Sequence, residues 1–139
     1  MKIKAILIDA LNREVRAVEF EGGSLDEMYA LLDCECFTLA PLKSEGNDES
    51  LFVDDEGLIN GTENFFYYKG AYQPLAGNGL FVGCDMNTGE SCDTSIKIED
   101  VISNVRFADR LHLAMMKMAK MPLEEFGAWP RPKALSKRG

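Results

Sequence analysis

The chain has 139 residues, 46% of them apolar, and a formal net charge of −8. That length predicts one domain, and that apolar content excludes a disordered chain. No apolar run approaches the ~20 residues that cross a bilayer, and the amino-terminal run is too short, and too soon ended by Asp9, for a signal peptide, so a cytoplasmic location is expected.

The charge is unevenly placed. Up to Pro130 there are 11 basic and 23 acidic residues, a balance of −12, whereas the last nine residues carry four positive charges and no negative one. An acidic body repels phosphate backbones, so general nucleic-acid binding is not expected. Acidic faces of this kind serve solubility or dock on a basic partner.

Lys2 to Asp9 reads as a strand, and its near-continuous apolar run predicts burial on both faces. Ala10 to Arg13 reads as a turn, and Glu14 to Phe20 alternates apolar and polar as the second strand of a hairpin. Gly22 and Gly23 break it. Ser24 with Glu27 three residues on predicts a capping box, in which the Glu27 carboxylate returns to the Ser24 amide. The helix it opens runs to about Asp33 and faces the core with Leu25, Met28, Tyr29, Leu31 and Leu32.

Cys34 to Leu42 is the next predicted strand, stopped by Pro41. A polar loop over 43–50 leads to a short strand, Leu51 to Val53, and an acidic turn, Asp54-Asp-Glu-Gly57. That turn lacks the longer ladder of acids a calcium loop needs. The aromatic run Phe65 to Tyr68, with Tyr72 nearby, reads either as core or as a partner-binding surface. Gly79 to Cys84 is a strand, Asp85 to Gly89 a turn that closes a second hairpin, and Ile96 to Ile102 a short helix. Asn104 to Met121 is the longest predicted helix. Val105, Ala108, Leu111, His112, Met115, Met118 and Ala119 recur along it at intervals of three and four, and Pro122 ends it. Its methionines read as core filling or as an adaptable contact face. Phe126 and Trp129 lie in a proline-containing tail that can rest on the body with Trp129 as anchor.

The four cysteines are Cys34, Cys36, Cys84 and Cys92. Their spacing fits the paired knuckles of a zinc site poorly, and they read as ordinary thiols. The single histidine, His112, sits within a helical pattern and reads as structural. No nucleophile elbow, phosphate loop, zinc-protease motif or dinucleotide fingerprint occurs. No catalytic residue, metal or cofactor is assigned.

Leu25-Asp-Glu-Met-Tyr-Ala-Leu-Leu32, then Cys36-Phe-Thr-Leu-Ala-Pro-Leu42, then Leu51-Phe-Val-Asp-Asp-Glu-Gly-Leu58, then Asn64, then Gly79-Leu-Phe-Val-Gly83, resemble in their order a phage and mobile-element family catalogued as domain of unknown function 3846. Its members share a strand, a helix, a strand ending near Pro-Leu, an apolar turn of valine and acids, and a later aliphatic-Val-Gly strand. The resemblance covers about residues 1–107 and implies a phage setting. It brings no catalytic residues with it. The aromatic run and the Met-rich helix are this chain's own departures.

The expected fold is therefore α+β: a small mixed or antiparallel sheet, a short amino-terminal helix and a longer carboxy-terminal one. Residues 1–121 form its one domain, and 122–139 a basic tail. The expected function is that of a phage accessory protein in the host cytoplasm. It acts by protein–protein binding, in its sharper form by inhibiting a host defence or regulatory factor. The contact surface combines Asp54, Asp55 and Glu56 with Tyr67, Tyr68, Tyr72, Met115 and Met118, and the carboxy-terminal helix can also pair two copies. A nucleotide-binding protein, with a base on the aromatic loop and the Gly77–Gly79 amides at its phosphate, is the alternative from another class. A structural part of the virion is a third.

Overall fold

A computed structural model describes residues 2–22, 24–34, 36–40, 49–54, 63–71, 73–85, 87–88 and 90–120, and the backbone path of 133–135. Of the predicted loop over 43–50, residues 43–48 lie outside the described residues, as do the acids Asp55 and Glu56, Tyr72, and the tail residues Phe126 and Trp129, whereas Glu49 and Ser50 are strand and not loop.

Strands β1 (Lys2–Asp9) and β2 (Glu14–Glu21) form the predicted hairpin, in register from Lys2 opposite Glu21 to Asp9 opposite Glu14. Its turn is held by Asp9, which is 5% exposed. The carboxylate accepts from the Asn12 amide at 3.1 Å, the Asn12 side chain at 2.8 Å and the Arg16 guanidinium at 3.0 Å. Three donors on one carboxylate satisfy its buried charge, and Arg13 takes the left-handed conformation (φ 56°) that the tight reversal needs.

Helix α1 (Leu25–Leu32) follows as predicted, with one change at its start. The Ser24 hydroxyl accepts from the Glu27 amide at 3.3 Å, but the Glu27 carboxylate accepts from the amide of Glu21 at 2.8 Å, not from Ser24. The Ser24 N–H already donates to the Glu21 carbonyl at 3.0 Å. Glu27 therefore satisfies the next open donor back, at the end of β2. Met28 and Leu32 are buried, whereas Leu25, in the first turn, is 55% exposed instead of facing the core. Removing the cap hydroxyl in Ser24→Ala is expected to cost about 1 kcal/mol in urea denaturation, with the fold retained.

Strands β3 (Phe37–Leu39), β4 (Glu49–Asp54), β5 (Asn64–Tyr68), β6 (Leu75–Ala76), β7 (Gly79–Cys84), β8 (Ser91–Cys92), β9 (Val105–Asp109) and β10 (Lys133–Leu135) build two sheets with the hairpin. The larger runs β10-β2-β1-β7-β4-β3, with β8 added beside β7 where β1 leaves it. Its pairs are antiparallel except β10 on β2, so the sheet is mixed. The smaller sheet is β6-β5-β9. Helix α2 (Ile98–Asn104) begins two residues later than the spacing predicts.

The period of two along β1 explains the layering. Ile3, Ala5 and Leu7 join Phe20, Leu80 and Val82 against Met28 and Leu32 of α1. Ile6 and Ile8 point the other way, with Val15, Leu51, Val53 and Phe81, and meet Phe65, Phe66, Val105 and Phe107 of the small sheet and Val101 of α2. The large sheet is thus covered on both faces, as the unbroken apolar run of β1 predicts.

Two glycines of β7 mark close approaches. A Cβ on Gly79 would lie 2.6 Å from Cζ of Phe66, so that ring rests on the strand itself. A Cβ on Gly83 would lie 2.2 Å from the Asp93 carbonyl oxygen. The polar segment after β8 is pulled in there: Asp93 accepts from the Lys4 amide at 2.9 Å, and Glu49 accepts from the Thr94 hydroxyl and from the Ser95 amide at 2.8 Å.

The long helix predicted over 104–121 is two elements. Val105–Asp109 is strand β9, paired with β5 from Tyr68 opposite Val105 to Asn64 opposite Asp109. Helix α3 (Arg110–Ala119) starts only after it, where the Asp109 carboxylate accepts from the His112 amide at 2.7 Å. Positions 105 and 108 fit a helical stripe, but Val105 and Phe107 fit an alternating strand equally well, and the open edge of β5 decides between them. Among the described residues no helix is long and apolar enough to cross a membrane.

Candidate functional site

Ending the strand at Asp109 rotates the chain beyond it. Val105 and Ala108 are buried in the small sheet, but their supposed helical continuation is not. On α3 the buried residue is Met116, with Leu113 packed partly against the core. Leu111, Met115 and Met118 stand 69, 59 and 84% exposed. Their spacing of four and three places them along one face of the helix. Six large apolar side chains are exposed among the described residues, and these three share one element.

The charged residues of the helix itself are all cationic. Arg110, Lys117 and Lys120 lie on or at the end of α3, and no acidic residue occurs from 110 to 120. Arg110 is partly neutralised: its Nε lies 3.5 Å from a Glu63 carboxylate oxygen, and its guanidinium 5.4 Å from the Phe65 ring centre. Lys120 closes the helix in the left-handed conformation, its N–H donating to the Lys117 carbonyl at 3.1 Å. Unbranched thioethers adapt to irregular partners, so Met115 and Met118 suit a contact surface better than a filled core. Leu111 belongs with them and is not among the sequence-based site residues. Its signal was the interval of four to Met115 and seven to Met118, obscured by reading Val105 and Ala108 as the same face.

The other sequence-based site residues are dispersed. Tyr67 and Tyr68 are 5% and 8% exposed. Tyr68 packs 4.9 Å from Phe81 of the large sheet. Burial pushes its phenol pKa up; a hydrogen bond to the Asn104 side chain opposes that, and the Asp100 carboxylate adds to it. Phe65 and Phe66 are wholly inside, so those ring faces are unavailable to a base. The Gly77 amide donates to the Asn64 carbonyl at 2.9 Å, and Gly79 lies within the paired β7. Asp54 ends β4, half-buried, beside a cavity of about 130 Å³ lined also by Asp33, Asn64 and Asn78.

Asp54 also acts on Cys34. Burial first, and then the Asp54 carboxylate, pushes the Cys34 thiol up to about 11. At pH 8 only about one Cys34 in a thousand is thiolate. Alkylation of Cys34 is therefore expected to be slow at pH 8 and to accelerate steadily up to pH 11, which peptide-resolved mass spectrometry reads directly. All four cysteines are free thiols. Among the described residues no group of three or more His, Cys, Asp or Glu side chains could hold a metal ion.

A family model described as Domain of unknown function (DUF3846) matches residues 1–106. The uncharacterized protein y4iR of Sinorhizobium fredii (strain NBRC 101917 / NGR234) is 34% identical over 101 residues. The match takes in 72% of this chain and 60% of that relative, so this chain spans about three fifths of the relative's length. No solved structure matches.

Proposed function

The chain belongs to the DUF3846 family, and we propose that it works by protein–protein binding, with the outer face of α3 as its principal contact surface. The observation that carries this reading is the exposed stripe of Leu111, Met115 and Met118 beside a run of cations. An apolar helix face left in water is stabilised by a partner that covers it. The occupant that fits is a different protein presenting an apolar groove rimmed by carboxylates. A second copy complements this face less well, because its own α3 offers no carboxylate between 110 and 120 to meet the cations. The acidic stretch Asp54, Asp55 and Glu56 is proposed as a separate, peripheral contact that steers approach.

In this reading the protein is a phage or mobile-element accessory factor, its partner is a host protein, and the effect is inhibition of a defence or regulatory system. The family resemblance supports the setting, and the absence of any catalytic motif from the sequence supports binding over turnover. The test compares wild-type protein with Met115→Gln/Met118→Gln as baits in host lysate. A partner held by the first and lost by the second supports the reading. A partner held equally by both removes α3 from it. Nucleotide binding and a virion role remain the alternatives. They are distinguished by thermal stabilisation with nucleotides and by abundance in purified particles.

A further inference from the structure

A cleft unconnected with the α3 stripe carries a second site. Tyr67, Lys69, Ser103, Asn104 and Arg106 line a cavity of about 280 Å³ where the β5–β9 pair meets the end of α2. The fold brings them together by backbone bonding. Arg106 stands opposite Tyr67 in the register of β5 and β9. The Lys69 amide donates to the Asn104 carbonyl at 2.9 Å, which holds the turn after β5 against the last residue of α2.

The charges there are unusual for this chain. Acidic residues outnumber basic ones by eight, so a cation has many carboxylates to choose from. The ion pairs among the described residues nevertheless involve Arg16 and Arg110, not Lys69 or Arg106. None of the five described lining residues is acidic. Asp100, four residues before Asn104, acts on Tyr68 but does not line the cleft.

Arg106 has an evident structural task. Its Nη1 donates to the Ser103 carbonyl at 3.3 Å and the Val105 carbonyl at 2.8 Å, closing the end of α2. That task occupies one nitrogen. It also fixes the guanidinium plane, so the remaining donors are held in place before any ligand arrives. A braced guanidinium, an exposed ammonium and the Ser103 hydroxyl around one cavity match an oxyanion with several acceptors.

We propose that this cleft binds the phosphate group of a small phosphomonoester. Arg106 would take two phosphate oxygens, Lys69 would supply the compensating charge, and Ser103 would donate to the third oxygen. The volume lies just below the usual range for ligand pockets, about 300 to 1,000 Å³. It accommodates a phosphate with a short carbon skeleton and is too small for a dinucleotide. Binding here uses Tyr67 of the aromatic run only as a wall of the cleft, and not the Gly77–Gly79 amides.

The test is isothermal titration of the full chain, at fixed ionic strength, with inorganic phosphate, glycerol 3-phosphate and AMP, each against a chloride blank. Saturable binding is expected, and Lys69→Gln/Arg106→Gln is expected to weaken it at least tenfold, about what loss of one charge-assisted hydrogen bond does. Lys69→Gln alone, in an exposed turn, weakens binding without touching the α2 end, so the test stands even if the double variant misfolds. Lys117→Gln is the control and should leave binding unchanged. Tighter binding of an ester than of inorganic phosphate identifies an organic ligand; equal binding identifies the free ion. No saturable heat with any of the three overturns the proposal. So does a loss in Lys117→Gln equal to that in Lys69→Gln, which would mean nonspecific attraction.

Discussion

Phe66→Ala is expected to lower the melting temperature by about 10 °C or more, the largest single-residue effect in this fold. Phe66 is fully buried on β5, and its ring tip rests on the backbone of β7 at Gly79. It therefore joins the small sheet to the large one. Truncating a buried phenylalanine costs about 3 to 5 kcal/mol, part transfer and part cavity. Domains of this size have about 5 to 15 kcal/mol in all. Gly79→Ala provides the cross-check. In the wild-type background its Cβ runs into the Phe66 ring and, more mildly, Leu51 Cδ1 at 3.2 Å, and destabilises; in the Phe66→Ala background only the Leu51 contact is left and the added cost should shrink markedly. Calorimetry on the four proteins measures the coupling. Additive costs would mean that the ring and Gly79 do not meet.

The second large effect is on binding. Met115→Gln/Met118→Gln is expected to weaken partner affinity about 100-fold while leaving thermal stability nearly unchanged. Central apolar side chains buried in a partner cost about 1 to 2 kcal/mol each when their contact is removed, and each 1.4 kcal/mol is tenfold, so two of them amount to about 100-fold. Glutamine keeps length and helix propensity, so the helix itself has no reason to fray. Both methionines already face solvent, so the free protein loses almost no packing. The flanking charges act differently. Lys117→Glu should chiefly slow association, and it should reduce the sensitivity of the rate to salt, because steering over a distance is screened within about 10 Å at 0.1 M. Equal affinity of the double variant and the wild type, by surface plasmon resonance, would remove the stripe from the interface.

Much of the fold was legible because local signals agreed with one another. The two-sided apolar run of β1, the alternation of β2, the Ser24 cap and the Gly79–Cys84 strand each read correctly from a few residues. The failures share a physical cause. At Val105 to Asp109 the helix and strand periods coincide, and only the unpaired edge of β5, forty residues earlier in the chain, selects the strand. Asp109 was the available clue, an N-cap residue placed three before His112 in the middle of the supposed helix. The same misreading hid the contact face: it assigned Leu111 to the core stripe begun by Val105. The aromatic run went the other way. Tyr67 and Tyr68 carry hydroxyls that suit a surface, yet the small sheet lies directly on the large one, and both rings are enclosed. The cleft of Lys69 and Arg106 joins residues 37 positions apart in sequence, and no spacing rule relates them.

The central claim is that α3 presents its outer face to a different protein. A photoreactive residue at position 118, with a second variant carrying it at the exposed Glu99 of α2, tests this directly in host cells. One protein should be captured from position 118 and not from 99. Its capture should be suppressed by excess wild-type chain but not by excess Met115→Gln/Met118→Gln. An adduct to a second copy of this chain, to lipid, to the same proteins from both positions, or to nothing at all would contradict the account.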